Sequence, residues 1–162
     1  MRVSENVLKW AMRFYPPLFF QRIWVVKFDK GFTGVKVKIN KSFINTNYNH
    51  SIFGGTIFAA ADPFYPILFH QALTHRSYKV RVWVKSAQIE YLLPGRKDLY
   101  FSISLEETII HEVEQVLNKG EKYIRHHPIA MYDKSAELCV EMQCEIYIRN
   151  LESTETKAAV SI

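Results

Sequence analysis

Residues 52–69 read Ile-Phe-Gly-Gly-Thr-Ile-Phe-Ala-Ala-Ala-Asp-Pro-Phe-Tyr-Pro-Ile-Leu-Phe, an apolar stretch holding a single charged residue, Asp62. Its length is that of a membrane span. An acid near the centre of a span costs about 3 kcal/mol, and two prolines follow this one. No membrane span is therefore predicted. A helix that is apolar all round is also what a fully buried central helix looks like. Something in the fold must then cover nearly every side of it.

The remainder of the chain supplies the cover. Residues 1–22 read as an N-terminal helical segment, with Ser4 as N-cap and Val7, Leu8, Ala11, Phe14 and Tyr15 at helical spacing before Pro16-Pro17. Ile23–Phe28 and Val35–Ile39 read as strands of a hairpin joined through Gly31 and Gly34. After the central helix the apolar period becomes two. Val80, Val82 and Val84 alternate, and Ala87, Ile89, Tyr91 and Leu93 continue one position out of phase. The slip at Lys85-Ser86 predicts a β-bulge. Strands are also expected over 99–105, 121–133 and 137–149, with an inserted helix over 106–119 ended by Gly120. The fold class is α+β: a curved antiparallel sheet wrapped around one long central apolar helix.

Composition agrees with a single domain over 1–162, its last residues, 152–162, read as a frayed tail. Hydrophobic residues make up 48% and aromatic residues 14%, which excludes intrinsic disorder. The net charge of +5 admits anionic partners, but the basic residues are spread among acids. Lys36, Lys38 and Lys41 alternate as on a solvated strand face, and no nucleic-acid motif is present. Cys139 and Cys144 lie five residues apart, roughly 16 Å along a strand, too far to pair with each other. Glu5, Lys9 and Arg13 break up any signal-peptide core. A reducing, cytoplasmic setting is expected.

The run Gly54-Gly55-Thr56-Ile57-Phe58-Ala59-Ala60-Ala61-Asp62 resembles the central-helix motif of the hotdog-fold acyl-CoA thioesterases, particularly the phenylacetyl-CoA type. Ile89–Gly95 is similar to the strand and turn that follow that helix. The overall pattern most resembles an uncharacterised hotdog branch, domain of unknown function 4442. Phe53 stands where the phenylacetyl-CoA type has a His. The resemblance implies hydrolysis of an acyl thioester carried on coenzyme A or an acyl-carrier protein, in a homodimer or tetramer. Asp62 would act as base or nucleophile, with the Gly54 or Gly55 N–H as oxyanion donor. Asp62 lies seven residues beyond Gly55, about 10.5 Å along one helix, so one carbonyl cannot reach both within a single chain. Asp62 and Gly54 would then meet across a dimer interface.

Asn47, Asn49, His50, Phe53, Thr56 and Phe58 are candidates to contact substrate, as are Lys85 and Ser86 at the bulge. Plainer readings stand beside these. Asp62-Pro63 also matches an N-cap followed by proline at the first helical position. The polar residues before Gly54 also suit turns. No metal spacing and no cofactor motif is found, and coenzyme A enters only as part of a substrate. A dimer that binds acyl groups or a protein without catalysis is the alternative. A third reading has the basic surface drawn to anionic lipid.

Overall fold

Proline decides the shape of the central helix. Pro63 and Pro66 have no N–H, so the carbonyls of Ala59 and Asp62 lose the donors four residues on. The apolar helix accordingly breaks into α3 (Gly54–Ala61) and α4 (Phe64–His75), rather than running unbroken. The structure, a computed structural model, describes residues 2–152. Of the tail expected at 152–162, residues 153 onward lie outside the described residues.

Before this pair come α1 (Glu5–Phe14), α2 (Pro16–Phe20), β1 (Ile23–Phe28) and β2 (Gly34–Ile39). After it come β3 (Val80–Tyr91), β4 (Leu99–Ser104), α5 (Glu107–Asn118), β5 (Tyr123–Asp133) and β6 (Leu138–Asn150). The strands form one antiparallel sheet in the order β1-β2-β4-β5-β6-β3. Alternation places Val35, Val37 and Ile39 of β2 inward, with Phe101 and Ile103 of β4 and Met142, Cys144, Ile146 and Ile148 of β6. Ala60, Phe64, Leu68, Phe69 and Leu73 of α3–α4 fill the concave side, and Phe64 meets Phe101 edge-on. This is the wrapped α+β architecture, with a broken central helix.

The bulge falls where the phase slip places it, between Val84 and Ser86 of β3. Gly120, at φ 74°, ends α5 with N–H bonds from Gly120 to Leu117 O and from Glu121 to Val116 O. Ser4 caps α1 by accepting from the Val7 N–H at 3.4 Å. The face of α1 differs from expectation. Met12 is buried and Leu8 half-buried against the core, whereas Val7, Ala11, Phe14 and Tyr15 are exposed. Helical spacing identifies a stripe, and here the exposed stripe is as apolar as the buried one.

Both cysteines are buried and unpaired. No helix among the described residues is long and apolar enough to cross a membrane.

Candidate functional site

A helix N-terminus has N–H groups that its own turn cannot satisfy. At α3 two of them fold back: Thr56 N–H and Ile57 N–H both donate to Phe53 O, at 2.9 and 3.2 Å. The Gly54 and Gly55 N–H groups have no partner among the described residues. Phe53, with extended backbone, offers no side-chain cap. The sequence thus opens this helix with two free donors on residues that have no side chain to shield them.

The loop in front is tied down by hydrogen bonds. Asn45 is buried, and its Nδ2 donates to Gln21 O at 2.9 Å and Asn40 O at 3.0 Å. Phe53 N–H donates to Asn45 O and Ile52 N–H to Gly95 O, fixing where Gly54 begins. Neither Asn45 nor Tyr91 stands out in the sequence as a site residue. Tyr91 closes an alternating apolar strand run, yet its hydroxyl donates to Gly54 O at 3.0 Å. A Cβ at Gly54 would lie 3.1 Å from that oxygen, so glycine is what lets the tyrosine seat here. The signal for Tyr91 is a phenol at the end of an otherwise hydrocarbon series.

Gly54, Ile57, Tyr91, Leu93, Pro94 and Asn47 line a cleft of about 320 Å³. The two sequence segments that carry the resemblance, 54–62 and 89–95, therefore meet in space. The Phe53 ring lies against Gly55, where a Cβ would collide with it. Thr56 is buried, and Phe58 is partly exposed one turn further along α3.

The other candidates are distributed unevenly. Asn47 Oδ1 accepts from Asn49 N–H, Ser51 N–H and Ser51 Oγ, at 3.0, 3.1 and 3.1 Å, so it also builds the turn. His50 sits in that turn with φ 59° and is exposed. On β3, the Ser86 hydroxyl donates to Glu145 Oε2 at 2.8 Å and Lys85 Nζ to Glu145 Oε1 at 3.3 Å. Glu145 is held below the usual carboxylate range, first by the Ser86 hydrogen bond. These two side chains are engaged across the strand pair.

Asp62 ends α3 with helical backbone angles, not the extended ones of an N-cap. It is exposed, and among the described residues no donor or cation meets its carboxylate. The charge is felt at Cys144, whose thiol is pushed up to about 11 by burial and then by Asp62. Cys144 pairs with Ala87, just past the bulge. Two turns of helix separate Asp62 from Gly55, about 10.5 Å, and Gly54 lies one residue farther.

No group of His, Cys, Asp and Glu able to hold a metal occurs among the described residues. His126 is exposed and His127 buried, on opposite faces of β5.

The sequence matches the family described as Domain of unknown function (DUF4442) over residues 4–148. No curated protein matches it significantly. Among solved structures it is similar to a Pseudomonas aeruginosa protein of unknown function described as a probable thioesterase. That pair has a TM-score of 0.77 at 16% identity, over 93% of this chain and 98% of the other. A Haemophilus influenzae thioesterase aligns with TM-score 0.67 and 13% identity over 93% and 94%. The PaaI protein of the E. coli phenylacetic acid degradation operon aligns with TM-score 0.57 and 13% identity over 89% and 95%. At these identities the likeness speaks for the fold.

Proposed function

The chain belongs to the DUF4442 family of the hotdog-fold thioesterase superfamily, and on that premise we propose that it hydrolyses acyl-CoA thioesters at a site shared by two copies. The observation that carries the reading is the pair of unpartnered N–H groups at Gly54 and Gly55, opening beside an apolar cleft. Backbone donors at a helix N-terminus suit an oxygen that gains negative charge.

In this reading the thioester carbonyl accepts from Gly54 and Gly55. The partner's Asp62 takes a proton from water as the water oxygen bonds to the carbonyl carbon. The C=O electron pair moves to the oxygen held by the glycines. Collapse then breaks the C–S bond, and the sulfur leaves as thiolate to take up the proton. The products are a carboxylic acid and coenzyme A. Among the described residues no donor or cation meets the Asp62 carboxylate, which leaves it available as a base or nucleophile. A second copy is required because one chain holds its own Asp62 two turns from its own glycines.

Two features support where that copy docks. The outer edge of β3 receives no hydrogen bond among the described residues. Phe53, Phe58, Leu92 and Leu93 are exposed near its end. The free, buried thiols of Cys139 and Cys144 support a reducing cytoplasmic setting.

Thiol release from a panel of aromatic and aliphatic acyl-CoAs tests the reading. Asp62→Asn should lower turnover by about a hundredfold or more while leaving mass and melting temperature unchanged. Absence of thiol release by the wild type, with Asp62→Ala lowering only the melting temperature, would contradict it.

A further inference from the structure

Between Glu5 and Asp29 the chain carries no acid, yet it holds Lys9, Arg13, Arg22 and Lys27. This segment holds α2, β1 and all of α1 but Glu5, and the aromatic side chains of α1 and α2 point outward. Phe14 and Phe20 are each 64% exposed, and Trp10, Tyr15 and Phe19 are exposed beside them. The rings form a connected surface. Trp10 stacks on Phe14 at 6.0 Å, Phe14 on Phe19 at 6.3 Å, and Phe19 meets Phe20 edge-on at 5.6 Å. Soluble proteins seldom leave so much contiguous aromatic surface in water.

The patch is held from behind. Met12 and Leu18 are buried under it, and Pro16-Pro17 starts α2 so that Phe14, Phe19 and Phe20 share one tip. Cations flank it: the Arg13 guanidinium lies 4.5 Å from the Trp10 ring centroid, Lys9 Nζ lies 5.5 Å from it, and Arg22 borders Phe19. Hydrocarbon rings at the tip, Trp and Tyr beside them, and cations around them are the pattern of a segment that lies in a bilayer interface.

We propose that the α1–α2 tip seats on anionic lipid bilayers, inserting Phe14, Phe19 and Phe20 among the acyl chains while Lys9 and Arg22 meet the headgroups. The charge pattern favours this occupant over a second copy of the chain. A two-fold contact through the tip would set cations against cations, with no acid in the segment to answer them. The inference stands apart from the thioesterase reading, because it rests on residues that do not line the Gly54 cleft.

Flotation with vesicles of equal phosphatidylglycerol and phosphatidylcholine tests it, beside vesicles of phosphatidylcholine alone. The wild type should float with the anionic vesicles and about tenfold less with the neutral ones. Phe14→Ser/Phe20→Ser should lower anionic binding by about tenfold or more, with its melting temperature kept, since both rings are outside the core. Failure of the wild type to float with anionic vesicles would overturn the proposal, as would equal flotation of the double variant. A fall in the variant's mass by light scattering would assign the patch to a contact between copies instead.

Discussion

β1 and β3 both end the sheet, but among the described residues only β1 has its outward backbone occupied. Arg13 reaches from α1 to donate to Val25 O at 2.8 Å and Val26 O at 3.3 Å. Its guanidinium is also sandwiched between Trp10 and Trp24, at 4.5 and 4.2 Å from their centroids. β3 is twice as long, 12 residues against 6, and no such cover lies over its outer side among the described residues. An edge of that length is a template for another strand. The contrast is between an edge the chain closes with its own side chain and an edge it leaves available, near the cleft that Gly54 and Tyr91 line.

The largest expected effect comes from spoiling the open edge. Leu92→Asp/Leu93→Asp places charge on exposed side chains beyond β3, where a docked copy would have to desolvate it. Light scattering should then report one chain mass, 19.0 kDa, and thiol release should fall about a hundredfold. A variant that keeps both the dimer mass and full turnover would remove the functional meaning of the contrast.

A pH titration sharpens it by acting on neither edge. His127 of β5 is buried between the Tyr65 and Phe69 rings, with Nε2 3.2 Å from the Tyr123 hydroxyl. Burial, and then the charge of His126, lower its pKa from 6.5 to about 4. The folded state therefore holds the neutral ring where the unfolded chain takes up a proton. Stability is full above about pH 6.5 and falls as pH drops toward 4, by at most about 3 kcal/mol. Urea unfolding of His127→Gln should show a flatter dependence across that window, and identical slopes would refute the assignment.

Opening the closed edge should cost less. Arg13→Ala removes two charge-assisted hydrogen bonds and two ring contacts, about 2 kcal/mol together. Urea unfolding measures the loss, and β1, once bare, should raise the tendency to aggregate. Turnover per folded dimer should not change.

Much of the fold is legible because strands that are buried on one face alternate openly. Leu138 to Ile148 of β6 and the slip at Lys85-Ser86 translate directly into register and bulge. Gly54-Gly55 and Asp62 are legible as a motif. What escapes is orientation and partnership. On α1, apolar residues occupy both faces, so periodicity cannot choose between Met12 and Phe14 as the buried one. Tyr91 and Asn45 act through single hydrogen bonds to backbone brought from far along the chain, which leave no periodic trace. Asp62-Pro63 reads equally as a cap or a free carboxylate. Only the helical backbone at Asp62, and the absence among the described residues of any backbone N–H that donates to its carboxylate, separate the two.

Mixed dimers test the central claim most directly. Gly54→Pro removes one donor at a position where helices accept proline, after Phe53, and its Cβ also crowds the Tyr91 hydroxyl. Asp62→Asn removes the carboxylate. Each should be nearly inactive alone. Co-expressed one to one, half the dimers pair one chain of each kind and hold one intact site of two, so turnover should return to about a quarter of wild type. If glycine donor and Asp62 act within one chain, the mixture will stay at the average of its two parents.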